Sequence, residues 1–175
     1  AGYPRLSKAR VLFLSAMSYH KNGEDLDAAR LYLRSTYVRN FKRLKELELL
    51  AAELEAYVDS YRTSGNVVAA IRSRISISCG TLQLTGEIPR VDLAPNGGYA
   101  VWSFVRKPYL WEDELRMPLV QQFFANDYGV STKQVSVGIY FFEDASYESR
   151  SYSKAEIDTA IRESERLARR PLALA

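Results

Sequence analysis

Cysteine and histidine are almost missing from this chain: Cys79 and His20 are the single examples of each. One thiol excludes an internal disulfide and any multi-cysteine zinc or iron–sulfur site, which suits a reducing compartment and points to the cytoplasm. One histidine leaves no second imidazole for a histidine-based metal site, and a serine triad would need it beside partners that the sequence does not single out. His20 therefore reads as a helix-end residue, and Cys79 as an inert thiol on the inward phase of a strand. Long apolar runs are lacking as well. Val11–Met17 is broken by Ser15 and is too short for a secretory or membrane-spanning segment, so no bilayer anchor is expected. There is no P-loop, dinucleotide glycine fingerprint or zinc motif. Neither sign of charge dominates: 24 basic and 21 acidic residues leave a net charge of +3, which by itself selects no class of partner.

What is present is enough apolar material, 47% of 175 residues, to bury the core of one domain spanning 1–175. Val11, Leu12, Leu14, Ala16 and Met17 fall at helical spacing and end at Asn22-Gly23. From Glu24 to Ser60 the chain has neither glycine nor proline and repeats apolar residues at helical intervals, which predicts one long helix or two stacked ones. Gly65 is a natural cap for its end. Helical packing is expected to continue through Val67–Ile71, giving a helical lead-in over 1–73.

After Arg74 the period shortens to two. Ile75, Ile77 and Cys79 alternate with Ser76, Ser78 and Gly80, and a sheet core is expected over 74–152. Strands are predicted at Leu82–Leu93 and Tyr99–Arg106, joined through Pro95-Asn96-Gly97-Gly98. A helix over Trp111–Asn126 and a strand over Gln134–Phe142 complete a β-β-β-α-β order. A short strand near Tyr147–Tyr152 follows. Ser153 and Glu156 then form a capping box for a last helix over 153–170, ended by Pro171. The fold class is α/β: a mixed sheet with helices before and after it.

This order, together with the text Gly86-Glu87-Ile88-Pro89-Arg90-Val91-Asp92, resembles the PD-(D/E)XK nuclease superfamily, in particular its RecB-like and CRISPR-associated exonuclease branch. The resemblance implies a restriction-endonuclease-like core that cuts nucleic acid with magnesium, held by an acid on the second strand and another on the third, with a lysine beside them. Here the three positions carry Pro89, Ser103 and Val105. A glutamine and a tyrosine that the family often offers from the following helix are replaced by Arg116 and Val120. Magnesium takes hard oxygen ligands, so losing both acids removes its anchor, and no cofactor is expected. The resemblance then implies an inactivated member.

Relocated ligands are the alternative, with Asp92, Glu112 and Glu114 as the acids and Lys107 as the cation, and Mg2+ is implied only in that case. Those acids otherwise read as a strand edge and the first turn of a helix starting at Trp111, where the helix dipole favours negative charge.

The other notable feature is basic. Arg30, Arg34, Arg39, Lys42, Arg43 and Lys45 fall between Ala28 and Lys45 with no acid among them, interleaved with Tyr32, Tyr37 and Phe41. Cations four apart share a helix face and suit a phosphate backbone, with aromatics to stack on bases, so DNA or RNA is one expected partner. The same aromatics also fit the core stripe of that helix. A protein partner such as an active nuclease or helicase subunit is the other expectation, and a purely protein-interacting domain a third, for which Trp102 and Trp111 are either anchors or core.

Overall fold

The computed structural model describes residues 6–41 and 43–169. Ser7 accepts a hydrogen bond from the Arg10 amide and opens α1, Lys8–Lys21. The stretch free of glycine and proline divides in two. Asp25 caps α2, Leu26–Asn40, by accepting from the Asp27 and Ala28 amides, and α3, Leu47–Ser64, follows a single turn of tighter helix at Leu44–Glu46. Gly65 closes α3 with a left-handed φ of 69°.

Here the chain departs from expectation. Val67–Ile71 is not helical but opens β1, Val67–Cys79, pairing antiparallel with β2, Leu82–Leu93, from Val67↔Leu93 onwards. The helical lead-in thus ends at Ser64 rather than at 73. Gly65 turns the backbone out of the helix, and a run of Val and Ala that cannot bury a helical stripe finds its hydrogen bonds along β2 instead.

β3, Tyr99–Val105, returns antiparallel to β2; β4, Val135–Phe141, runs parallel to β3; and β5, Ser146–Arg150, is antiparallel to β4. The sheet order is β1-β2-β3-β4-β5. A parallel pair needs a crossover, supplied by α4, Arg116–Tyr128. This helix starts later than the expected Trp111. The Trp111 ring is buried and its Nε1 donates to Glu148 Oε2 at 2.9 Å, which holds the chain in a turn before the helix can begin. Ser153 and Glu156 form the expected capping box of α5, Lys154–Ala168. The closing Pro171 lies outside the described residues.

Alternation along the strands sorts two cores. Tyr140, Phe142 and Phe104 pack on α1, α2 and α3, whereas Val91, Val101, Ile139 and Phe141 pack with Trp111, α4 and Ile157 of α5. Helices therefore cover both faces of the sheet. No helix among the described residues is long and apolar enough to cross a membrane.

Candidate functional site

The β2–β3 ladder runs from Leu93↔Tyr99 to Arg90↔Trp102 and stops. Pro89 and Ser103 are the next residues along, so they stand at a fork where the two strands part. A proline fits here because no amide is asked of it. On the β1 side the ladder also skips it, pairing Ile71↔Arg90 and Ser73↔Ile88, while Arg72 between them takes a φ of 53° and pairs its guanidinium with Glu87 at 3.2 Å. Pro89 is buried and Ser103 half-buried, and Val105 packs against the apolar cluster holding Ile88, Val91, Val101, Trp111, Met117 and Val120. None of the three residues at the family positions brings a carboxylate, and Val105 packs on hydrocarbon. This fork does not fit a divalent cation. Arg116 and Val120 both lie on α4, the first exposed and the second buried.

Asp92 belongs to the opposite face. Its carboxylate accepts from Trp102 Nε1 at 3.0 Å and from Asn66 Nδ2 at 3.2 Å, and its Oδ1 lies 2.9 Å from Arg90 Nε. That last contact is a close ion pair whose angle falls outside hydrogen-bond geometry. The Arg90 guanidinium is itself fully buried. It donates to Tyr57 Oη at 2.5 Å and Tyr147 Oη at 2.9 Å, and it lies 5.0 Å from the centre of the Tyr61 ring. Tyr57 Oη, already accepting from Arg90, gives its own proton to His20 Nε2 at 2.6 Å, an assignment that follows from the network. Burial, helped by the Arg90 charge, lowers the His20 pKa to about 3, so the ring is neutral. Burial likewise pushes the Asp92 carboxyl up, against the pull of Arg90, Asn66 and Trp102. His20, which read as a helix-end residue, is also the outer member of a polar chain that ties α1 and α3 to β2.

The remaining candidate ligands do not converge on this pair. Lys107 is exposed beyond the end of β3. Glu112 and Glu114 line a groove of about 560 Å³ between the turn before α4 and the start of α5, with Asp113, Arg150, Tyr152 and Glu156. Glu114 is ion-paired with Arg116 and Glu156 with Arg150; burial pushes the Glu114 carboxyl up, but the hydrogen bonds from the Tyr109 hydroxyl and from Arg116 outweigh it and hold its pKa below the ordinary value. The acids before α4 are thus not its first turn, as the expected helix start implied. Among the described residues, no group of three or more His, Cys, Asp or Glu side chains is arranged to hold a metal ion.

The basic segment is only partly as expected. Arg30 is engaged by Asp27 at 3.0 Å and by Glu55 of α3 at 2.7 Å. Arg34, Arg39, Arg43 and Lys45 are exposed. Lys42 lies outside the described residues. Tyr37 is buried, donates its hydroxyl to the Arg43 carbonyl at 2.7 Å and stacks on half-buried Phe41, so these rings are core and are not free to stack on bases. Trp102 and Trp111 are core too, with 6% and 1% of their surface exposed.

One important residue escaped the reading of the sequence. Gln121 is fully buried in α4; its Nε2 donates to the Thr132 and Tyr152 carbonyls and its Oε1 accepts from the Tyr152 amide at 2.7 Å. It sits beside a second glutamine on an amphipathic helix, and nothing local marks it out.

No protein-family model and no curated protein matches the chain. Among solved structures it is similar to the crystal structure of a putative exonuclease from Eubacterium rectale, with a TM-score of 0.54 and 9% sequence identity. The match covers 94% of this chain and 66% of that one, so the chain spans just under two thirds of that protein's length. At this identity the likeness shows the fold alone, an α/β arrangement compatible with a nuclease-like core.

Proposed function

We propose that the chain is a non-catalytic module of PD-(D/E)XK type, an inactivated relative of the RecB-like branch that serves as a subunit beside an active nuclease or helicase. The observation that carries this reading is the fork: the strands part where a cutting enzyme would hold its ion, but the residues there are Pro89, Ser103 and Val105, the last packed on an apolar cluster. Asp92, further along β2, is spent on Arg90 of the same strand and on Trp102 of β3.

The test is incubation of the purified chain with labelled single- and double-stranded DNA and RNA in magnesium or manganese. The reading expects intact substrates. Cleavage that is lost in Glu112→Gln, Glu114→Gln or Lys107→Met would replace it with the active-nuclease alternative, in which those residues hold Mg2+. A second reading, direct contact with DNA or RNA, is favoured by the exposure of Arg34, Arg39, Arg43 and Lys45. It expects affinity to fall on the order of tenfold to a hundredfold between about 50 and 200 mM salt for four phosphate contacts.

A further inference from the structure

Nine of the described cations, Lys8, Arg30, Arg72, Arg90, Arg106, Arg116, Arg150, Lys154 and Arg166, each have an acidic partner. Arg34, Arg39, Arg43 and Lys45 have no such partner among the described residues. Apolar side chains lie exposed among them. Leu31 is 70% exposed, Val38 54% and Leu44 58%. Leu31 and Val38, seven residues apart, fall on one line along α2, on the side away from buried Ala29, Leu33 and Tyr37. Arg34 lies between them and Arg39 beside Val38. The hydrogen bond from Tyr37 to the Arg43 carbonyl holds the turn carrying Arg43, Leu44 and Lys45 against the end of the same helix.

We propose that this face of α2 and the following turn docks an acidic amphipathic helix of a protein partner; the inference rests on the subunit reading above and names the surface it would use. A nucleic-acid backbone would satisfy the cations but leave Leu31, Val38 and Leu44 with nothing to cover them, and of the interleaved rings Tyr37 is buried, with Phe41 half-buried and stacked on it and Tyr32 half-buried. A partner helix with leucines at one-turn and two-turn spacing, flanked by glutamates, covers the apolar line and supplies the missing negative charge together.

The full chain is titrated by fluorescence anisotropy against a synthetic helical peptide of about 16 residues with that pattern, against the same peptide with serine for leucine, and against oligothymidylate. The acidic leucine peptide is expected to bind, about tenfold or more tighter than its serine counterpart and than the oligonucleotide. Leu31→Ser with Val38→Ser is expected to weaken it about tenfold, and Arg39→Ala with Arg43→Ala several-fold, with melting temperatures unchanged because all four side chains are exposed. Equal binding of the serine peptide, tighter binding of the oligonucleotide, no binding of any probe, or indifference to the Leu31 and Val38 changes would each overturn the proposal. Magnesium-dependent cleavage by the same preparation would remove the subunit reading independently of the peptide result.

Discussion

Arg90 Nε and Asp92 Oδ1 lie 2.9 Å apart with neither side chain open to water, two residues apart on the strand that resembles a nuclease motif. Their energetics follow from that burial. Removing one partner strands a charge in the interior, which costs about 3–5 kcal/mol, whereas replacing both with apolar residues of similar volume is far milder. Asp92→Ala should therefore lower the urea midpoint severely, and Arg90→Met with Asp92→Leu should be less damaging than either single change. An Asp92→Ala variant within about 1 kcal/mol of the parent would mean that the pair is not sealed from water.

His20 gives the protein an acid-sensitive joint. Its folded pKa of about 3 lies below the ordinary 6.5, so below pH 6.5 the unfolded chain takes up a proton that the folded chain refuses. Stability is then complete above pH 6.5 and falls by up to about 1.4 kcal/mol per pH unit on acidification towards pH 3. Unfolding free energies measured from pH 7 to 4 should show this slope, and His20→Gln should flatten it. An unchanged slope in that variant would assign the effect to other groups.

Gly138 leaves no room for a methyl group. A Cβ there would stand 2.2 Å from the Glu148 carbonyl oxygen on the edge strand β5 and 2.6 Å from Trp102 Cζ3 on β3. Gly138→Ala is expected to destabilise by about 2 kcal/mol or more, read as a lower melting temperature. A melting temperature equal to the parent's would contradict the packing of Trp102 against β4.

Gln121 binds the chain on either side of the last strands, and truncation leaves the Tyr152 amide and two carbonyls without their partner. Gln121→Leu should cost about 2–4 kcal/mol and speed hydrogen exchange at the Tyr152 amide. Loss of stability with that amide still protected would place the damage elsewhere.

Much of the fold is legible in the sequence because it rests on local periodicity. Ile75, Ile77 and Cys79 announce β1, Asn96-Gly97 the hairpin, and Ser153 with Glu156 the last helix. Val67–Ile71 is misread because a short apolar run of Val and Ala carries no period of its own, and only its pairing with Leu93 decides its state. The absence of carboxylates at Pro89, Ser103 and Val105 can be read directly. What becomes of Asp92 cannot, since Asn66, Trp102 and Arg90 reach it from three strands or their approaches. Arg30 is a similar case: a stretch without acids looks uncompensated until α3 brings Glu55 across from 25 residues away.

The central claim, that the fork between β2 and β3 no longer grips a divalent ion, is tested most directly by titrating the folded protein with Mn2+ and following paramagnetic broadening of amide resonances. The account predicts no saturable broadening at Ser103, Phe104, Val105 or the turn that carries Glu112 and Glu114. Selective broadening at any of these that Mg2+ competes away would contradict it.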